Sequence, residues 1–129
     1  MRQNPVVSVV EDDQSARDGI RDLIEAMSFV AETFERAEDF LNSSALHSTS
    51  CLIADVHLPG MTGLELHSRL VGSGKVIPTI LITAFPSERD RARALQAGVV
   101  CYLTKPLSDS EFPACIELAL DRKPDMRKT

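Results

Sequence analysis

Short apolar segments alternate along this chain with segments in which apolar residues recur at helical spacing. Such alternation is typical of βαβ units, in which helices connect parallel strands. In the first helix-like segment, the apolar side chains of Ile20, Leu23 and Ile24 fall on one face. The pattern predicts strands at Val6–Val10, Val30–Phe34, Leu52–Val56, Thr79–Thr83 and Cys101–Thr104.

Capping patterns mark the helix starts. Thr62 is followed three residues later by Glu65, which is the pattern of a capping box. Ser108 begins a second such pattern, and weaker versions begin at Ser15 and Ser87. The apolar faces of the later helices are expected at Ala37, Phe40 and Leu41, at Leu66 and Leu70, at Ala92 and Leu95, and at Phe112, Cys115, Ile116 and Ala119.

Five strands alternating with five helices predict an α/β domain of the (βα)5 doubly wound type. One common order for a five-stranded parallel sheet of this type, with helices on both faces, is 2-1-3-4-5, and the positions below are considered in that order. A chain of 129 residues, of which 43% are apolar, is long enough for one hydrophobic core. We assign residues 1–122 to this domain and residues 123–129, which lack an apolar period, to a C-terminal tail or linker stub.

Composition and charge narrow the classes of function. The net charge of −5 argues against direct nucleic-acid binding by this chain. No apolar run approaches the roughly 18 residues of a membrane span, and Met1–Pro5 leads straight into a strand rather than a signal peptide. No paired spacing is found among the three cysteines, Cys51, Cys101 and Cys115. We therefore expect them to be buried as small apolar side chains, with free thiols, in a reducing compartment. The chain is therefore expected to be cytoplasmic.

Polar side chains stand where the apolar strands end. Glu11 and Asp12 follow the first strand, and Asp55 lies at the end of the third. Ligands of open α/β sheets bind outside the carboxyl ends of the strands, at the point where the strand order reverses. In the expected order, the first and third strands flank that point, which places the three acids in one crevice. Thr83 and Lys105, at the ends of the fourth and fifth strands, would lie on its far side.

Three neighbouring carboxylates repel one another unless a cation lies between them. Oxygen ligands favour hard cations, and Mg²⁺ combines carboxylates with water and phosphate oxygens. A carboxylate beside such a metal can act as a nucleophile and form an aspartyl-phosphate, and Asp55 is the candidate. Lys105 and the metal would neutralise the phosphoryl oxygens, while the Thr83 hydroxyl could hydrogen-bond one of them.

These same residues carry a family resemblance. Four separated motifs, VVEDD at residues 9–13, DVHLPGMTG at 55–63, TA at 83–84 and KP at 105–106, occur in order at the strand ends. They resemble the motifs of the response-regulator receiver domain, which has the CheY-like (flavodoxin-like) fold, and the resemblance covers residues 6–122. Residues 37–41 and 55–66 look most like those of FixJ-type receivers.

The resemblance implies a phosphoacceptor and a metal site. Asp55 would accept a phosphoryl group from a phosphohistidine of a sensor histidine kinase. Mg²⁺ would be bound by Asp55, by Asp12 and by the backbone carbonyl of His57, with Glu11 acting through water. The commoner residue at position 11 is Asp, so Glu11 lengthens that arm. The bulky His57 and Phe85 flank the expected phosphoryl site, and we hypothesise that they slow the attack of water on the aspartyl-phosphate.

The resemblance also implies a switch. Lys105 would contact the phosphoryl group and Asp55, and its peptide bond to Pro106 would be cis. Thr83 would move to hold the phosphoryl group while Tyr102 swings inward behind it. Residues 88–122, which include the fourth helix, fifth strand and fifth helix, would then change their surface and form a homodimer or bind an output partner.

Two classes of function remain open. The first is a phosphoacceptor signalling domain, which is not an enzyme apart from its own phosphorylation and slow dephosphorylation; a weaker variant signals without phosphorylation. The alternative is a Mg²⁺-dependent phosphohydrolase. An enzyme with an aspartyl nucleophile would need a second acid two residues later for acid–base catalysis, and this chain has His57 at that position. No P-loop or dinucleotide fingerprint is present. Tyr102 could simply be a buried aromatic residue, and His47 and His67 are expected on the surface.

Overall fold

Five parallel strands run through the centre of the structure, namely β1 (Val6–Val10), β2 (Val30–Phe34), β3 (Cys51–Asp55), β4 (Thr79–Thr83) and β5 (Cys101–Thr104). Their order is β2-β1-β3-β4-β5, which confirms the predicted doubly wound sheet. The computed structural model describes residues 4–121. The predicted domain boundary at residue 122 and the predicted tail at 123–129 lie outside the described residues.

The third strand lies one residue earlier than predicted. The sequence pattern placed it at Leu52–Val56, whereas pairing begins where Cys51 lies opposite Val7 of β1. Pairing ends where Asp55 lies opposite Ile82 of β4. The apolar run is compatible with either position, and the pairing with both neighbouring strands selects one of them. Asp55 is therefore the last residue of the strand, which agrees with its predicted position at the strand end.

Five α-helices cover the sheet. They are α1 (Gln14–Ala26), α2 (Ala37–Leu41), α3 (Gly63–Gly72), α4 (Glu88–Gln96) and α5 (Glu111–Asp121), and a short 3-10 helix (Ser44–His47) lies between α2 and β3. Helices connect the parallel strands along the chain, so each connection returns to the edge of the sheet at which the next strand begins. The carboxyl ends of all five strands consequently meet at one edge of the sheet.

Three of the four predicted helix starts are confirmed. Thr62 and Glu65 form the reciprocal capping box of α3. The hydroxyl oxygens of Ser87 and Ser108 accept hydrogen bonds from backbone N–H groups at the starts of α4 and α5. The start at Ser15 was wrong, because Asp13 caps α1 with its side-chain oxygen. Aspartate and serine are about equally good at accepting hydrogen bonds from the free N–H groups of a first helical turn.

Two apolar layers pack on the two faces of the sheet. Ile24 of α1 and Ile116 of α5 belong to the layer that includes Ile53 of β3. Phe40 of α2 and Leu66 of α3 belong to the opposite layer. Successive residues of β3 alternate between the layers, so this strand is buried on both sides.

The inward face of α4 differs from the prediction. Ala92 and Leu95 are exposed, with Leu95 at 42%, whereas Ala94 is fully buried. Most residues of this helix are charged, so its few apolar residues fit more than one helical face. Packing in the layer that contains Val99 and Tyr102 turns Ala94 inward. The apolar side chain of Leu95 consequently faces solvent.

His67 was predicted to be a surface residue, and this was wrong. Its side chain is buried, with 6% exposed, because it follows Leu66 on the inward side of α3. The ring nitrogen Nδ1 has no hydrogen-bond partner among the described residues. Burial lowers the pKa of His67, since a charged imidazolium is disfavoured there.

The three cysteines are free thiols. Cys51 and Cys115 are buried, as predicted, and burial raises the pKa of each thiol to about 12. Cys101 is only partly buried, which corrects the prediction for that residue. It is the first residue of β5, an edge strand of the sheet, where one side is open. Within residues 4–121, no helix has the length and apolar character needed to cross a membrane.

Candidate functional site

The candidate site lies at the carboxyl edge of the sheet. Glu11 directly follows β1, and Asp55 is the last residue of β3. Thr83 is the last residue of β4 and lies opposite Thr104 of β5, so Lys105 follows at the same level. The strand register thus brings together groups that are far apart in the chain.

Lys105 joins the two buried carboxylates. Its Nζ donates hydrogen bonds of 2.6 Å to Glu11 Oε1 and of 2.6 Å to Asp55 Oδ2. Glu11 is 1% exposed and Asp55 is 6% exposed, so this ammonium replaces much of the water that both acids would otherwise bind. The contact with Asp55 was expected from the sequence, whereas the contact with Glu11 was not. The peptide bond between Lys105 and Pro106 is cis, as predicted.

The two carboxylates ionise differently. Burial opposes ionisation of Asp55, but hydrogen bonds from Lys105 and from the His57 N–H outweigh it and lower the pKa of Asp55. Burial dominates at Glu11 and raises the pKa of that carboxyl despite the bonds from Lys105 and the Asp13 N–H. The charge of Asp55 acts in the same direction. At Lys105, the two carboxylates outweigh burial and raise the pKa of the ammonium. Asp55 is therefore the more strongly acidic partner.

Both oxygens of Asp55 are held in place. Oδ2 accepts from Lys105, and Oδ1 accepts from the backbone N–H of His57 at 2.8 Å. The side chain of His57 is exposed. The predicted role of the His57 carbonyl as a metal ligand stays a prediction.

Three acids lie close enough to share a cation. One carboxylate oxygen from each of Glu11, Asp12 and Asp55 lies within 4.8 Å of the other two. Within the described part of the chain, no other group of three acidic, histidine or cysteine side chains has this spacing. Asp12 is exposed, so the cluster opens to solvent on its side. The donor set consists of oxygen atoms only, which fits a hard divalent cation such as Mg²⁺.

Gly63 allows α3 to begin against the end of β3. A Cβ atom at this position would lie 2.5 Å from the backbone oxygen of Asp55, a separation that real Cβ atoms do not show. The N–H of Gly63 donates to the Val56 carbonyl at 3.1 Å. The glycine in the motif at residues 55–63 thus keeps the first turn of α3 against the backbone that carries Asp55.

Two further predicted residues hold the loop between β4 and α4, residues 84–87. Thr83 is fully buried, and its Oγ1 accepts from the Phe85 N–H at 3.0 Å. Tyr102 is also buried, and its hydroxyl oxygen accepts from the Ser87 N–H at 3.2 Å. Thr83 borders the site, whereas Tyr102 contacts the far end of the same loop.

Two rings lie next to one another beside the site. The centroids of His57 and Phe85 are 5.9 Å apart, with an edge-to-face angle of 75°. Phe85 is 73% exposed, so this contact is not part of the hydrophobic core. His57 follows Asp55 by two residues, and Phe85 follows Thr83 by two residues. The pair therefore connects the loops after β3 and β4.

One polar contact next to the acids was not predicted from the sequence. The guanidinium of Arg17, in the first part of α1, donates to the backbone carbonyl of Glu11 at 2.8 Å. A signal was available, because a helix that starts directly after a strand turns its first residues back toward the strand end. Arg17 has the reach to use this position, but its residue type alone fits a solvated helix face equally well.

An apolar depression adjoins Lys105. It lies between the start of α1 and the segment after β5, and its lining residues are Ala16, Gly19, Ile20, Leu23, Pro106 and Leu107. The depression reaches the candidate site through Lys105 and Ala84.

Comparison with known proteins agrees with this geometry. Residues 7–117 match the response regulator receiver domain. The chain is 31% identical over 122 residues to response regulator protein TodT of Pseudomonas putida, a match that covers 95% of this chain and 54% of TodT. It is 30% identical over 114 residues to transcriptional regulatory protein FixJ of Bradyrhizobium diazoefficiens, covering 88% of this chain and 56% of FixJ. The chain thus spans about half the length of these relatives.

The fold has close counterparts among solved structures. The crystal structure of FixJ-N superposes with a TM-score of 0.85 at 26% identity, covering 97% of this chain and 100% of that chain. The strand order, the acids at the strand ends and the family match agree with one another. This chain therefore belongs to the response regulator receiver domain family and has the CheY-like fold of receivers from two-component systems.

Proposed function

We propose that Asp55 accepts a phosphoryl group from a phosphohistidine of a sensor histidine kinase. One Asp55 carboxylate oxygen attacks phosphorus, the bond between phosphorus and the histidine nitrogen breaks, and that nitrogen keeps the electron pair. Later attack by water returns the carboxylate and releases phosphate. The chain is in this proposal a phosphoacceptor of a phosphorelay and not an enzyme with an external substrate.

The observation that carries this proposal is the state of Asp55. Its pKa is lowered although it is buried, so the carboxylate is ionised and available as a nucleophile. Its two oxygens are oriented by Lys105 and by the His57 N–H. Lys105 would move from the acids toward the phosphoryl oxygens as negative charge accumulates there.

The site also requires a divalent cation. Asp12, Asp55 and the His57 carbonyl would hold Mg²⁺, and Glu11 would act through water, as the oxygen-only donor set permits. When bound, the metal neutralises charge on the phosphoryl oxygens. Glu11 has a raised pKa and already shares Lys105 with Asp55, which suits an outer position better than direct coordination.

The proposed switch consists of Thr83 and Tyr102. The Thr83 hydroxyl, which now accepts from the Phe85 N–H, would turn to donate to a phosphoryl oxygen. Residues 84–87 would then lose one of their two side-chain anchors, and the Tyr102 contact at Ser87 would change with them. Helix α4 would follow easily, because Ala94 is its one buried residue.

Partners follow from this mechanism. The apolar depression beside Lys105 suits the helix of a kinase that presents its phosphohistidine to Asp55. The surface of residues 88–122, of which the structure describes 88–121, would form a homodimer or contact an output domain. Relatives of which the match covers only 54–56% include a protein named as a transcriptional regulator. We propose that this domain does not itself bind nucleic acid. We also propose that the protein acts in the cytoplasm.

Intact mass after incubation with Mg²⁺ and acetyl phosphate tests the proposal. The wild type is expected to gain one phosphoryl mass, and Asp55→Asn to gain none. EDTA during loading should abolish the gain. A phosphohydrolase would instead release phosphate over many turnovers without a stable mass gain. Absence of any gain in the wild type, with both kinase and acetyl phosphate as donors, would contradict phosphorylation of Asp55.

A further inference from the structure

The side chain of Arg17 reaches from α1 to the backbone that carries two of the acids. Its guanidinium donates to the Glu11 carbonyl at 2.8 Å, and the Arg17 side chain is half-buried. Among residues 4–121, the side chain of the next arginine of the helix, Arg21, has one polar contact, which is a surface ion pair with Asp18. Two arginines one helical turn apart therefore have different surroundings.

The Glu11 carbonyl belongs to the peptide group that joins Glu11 to Asp12. On one side of this peptide, the Glu11 N–H donates to the Phe34 carbonyl of β2 at 3.0 Å. The Glu11 side chain accepts from the Asp13 N–H at 3.1 Å. Arg17 supplies the bond at the carbonyl, so the backbone between β1 and α1 is held from three directions.

Asp12 depends on this backbone for its position. Within the described residues, its carboxylate makes no side-chain hydrogen bond or ion pair, and the side chain is exposed, whereas Glu11 and Asp55 are both held by Lys105. A carboxylate without its own side-chain contacts is oriented only by its main chain. A small rotation of the Glu11–Asp12 peptide would move the Asp12 carboxylate away from the other two acids.

We infer that Arg17 is a positioning residue for the cation site, acting through the Glu11 carbonyl to orient Asp12. This inference rests on the proposed function, since it concerns the Mg²⁺ that Asp12 and Asp55 would hold. Groups that orient metal ligands without touching the metal commonly change metal affinity by one to two orders of magnitude. Charge alone acts in the opposite direction, because a guanidinium near three acids repels a cation. Removal of Arg17 should therefore lower the Mg²⁺ affinity if positioning dominates, and raise it if charge repulsion dominates.

The test compares Mg²⁺ affinity, measured by titration calorimetry, in the wild type, Arg17→Ala, Arg17→Lys and Arg21→Ala. We expect Arg17→Ala to bind Mg²⁺ roughly tenfold more weakly. Arg17→Lys should recover part of that loss, since an ammonium can still donate to the carbonyl. Arg21→Ala, one turn further along the same face, should bind like the wild type. Wild-type or tighter binding by a folded Arg17→Ala would overturn the inference.

A second measurement needs no metal and separates this inference from the proposed function. In the metal-free protein, amide hydrogen exchange at residues 11–13 should be faster in Arg17→Ala than in Arg21→Ala, with Arg17→Lys between the two. Unchanged exchange would overturn the positioning role. A wild type that binds no Mg²⁺ would overturn the metal part of the proposed function together with this inference. Normal wild-type binding with an unaffected Arg17→Ala would overturn the inference alone. If Arg17→Ala does not fold, Arg17→Met, which keeps the apolar stem but has no group that can donate to the carbonyl, carries both measurements.

Discussion

The hydroxyl oxygen of Tyr102 accepts a hydrogen bond from the backbone N–H of Ser87 at 3.2 Å. Ser87 belongs to the loop between β4 and α4. Thr83 holds the same loop nearer the candidate site, because its Oγ1 accepts a hydrogen bond from the Phe85 N–H. The two residues expected to form a switch therefore bind opposite ends of one four-residue loop, residues 84–87. A change at Thr83 can reach Tyr102 through this loop without movement of the sheet.

Tyrosine fluorescence should report this switch directly. The chain has one tyrosine and no tryptophan, so the entire signal comes from Tyr102. Phosphorylation with Mg²⁺ and acetyl phosphate should change the emission of the wild type, because the Ser87 contact is altered when Thr83 turns to the phosphoryl group. Thr83→Ala should become phosphorylated with a smaller change, and Asp55→Asn should show none. An unchanged emission from fully phosphorylated wild type would contradict the coupling.

Removal of the Lys105 charge should destabilise the fold. Lys105→Met leaves Glu11 and Asp55 buried beside each other without their shared counter-charge, and we expect the free energy of unfolding to fall by about 3 kcal/mol. Combining it with Asp55→Asn should reduce that loss, because one charge of the pair is then gone. Urea unfolding of both single variants and the double variant measures the effect. Additive changes would mean that Lys105 and Asp55 do not interact energetically.

A methyl group at position 63 should disturb the start of α3. In Gly63→Ala, the new Cβ would lie 2.5 Å from the Asp55 backbone oxygen, so the helix or the strand end must move. We expect a loss of about 1–3 kcal/mol in unfolding free energy. Gly19→Ala in the middle of α1 is the control, since nothing lies within 4 Å of its Cβ, and it should gain about 0.5–1 kcal/mol. Equal effects of the two variants would contradict the close approach.

The rings of His57 and Phe85 should prolong the life of the aspartyl-phosphate. Both side chains are exposed and lie edge to face, in the loops that follow Asp55 and Thr83, where they would restrict the approach of water. If the rings shield the aspartyl-phosphate as hypothesised, the double variant His57→Asn, Phe85→Ala should lose its phosphoryl mass roughly tenfold faster, equivalent to about 1.4 kcal/mol of barrier. Its unfolding free energy should stay near that of the wild type. Phosphate loss no faster than in the wild type would eliminate the hypothesis.

Acid should destabilise the protein through His67. Burial lowers the folded-state pKa of this residue below its ordinary value of 6.5, so the unfolded chain takes up the proton first. Stability from His67 is thus fully present above about pH 6.5 and is lost as pH falls below it. His67→Leu should weaken the decline in urea midpoint between about pH 8 and about pH 5. His47→Leu, at an exposed histidine bonded to Lys75, should retain the decline. Parallel declines in all three proteins would exclude His67 as the cause.

The strands were predictable because their apolar segments are short and bounded by polar residues. Four of the five strands have the bounds that the sequence pattern indicates, and β3 differs by one residue. In that strand the apolar run extends through Val56, and only the pairing of Cys51 with Val7 and of Asp55 with Ile82 locates its ends. Helix α4 was less predictable, since a mostly charged helix gives a weak apolar period, and Ala94 turns inward in place of Leu95.

The sequence pattern alone indicated parallel strands joined by helices and placed Glu11, Asp12, Asp55, Thr83 and Lys105 at strand ends, which all meet at one edge of such a sheet. The tertiary structure decided which of these groups touch. The register of β4 and β5 brings Lys105 within 2.6 Å of both Glu11 and Asp55, and Arg17 reaches the Glu11 carbonyl from the next helix. It also decided that His67 is buried. Residue types and periodicity carry no information on distances between side chains of separate elements, and those distances set the charge and orientation of the acids.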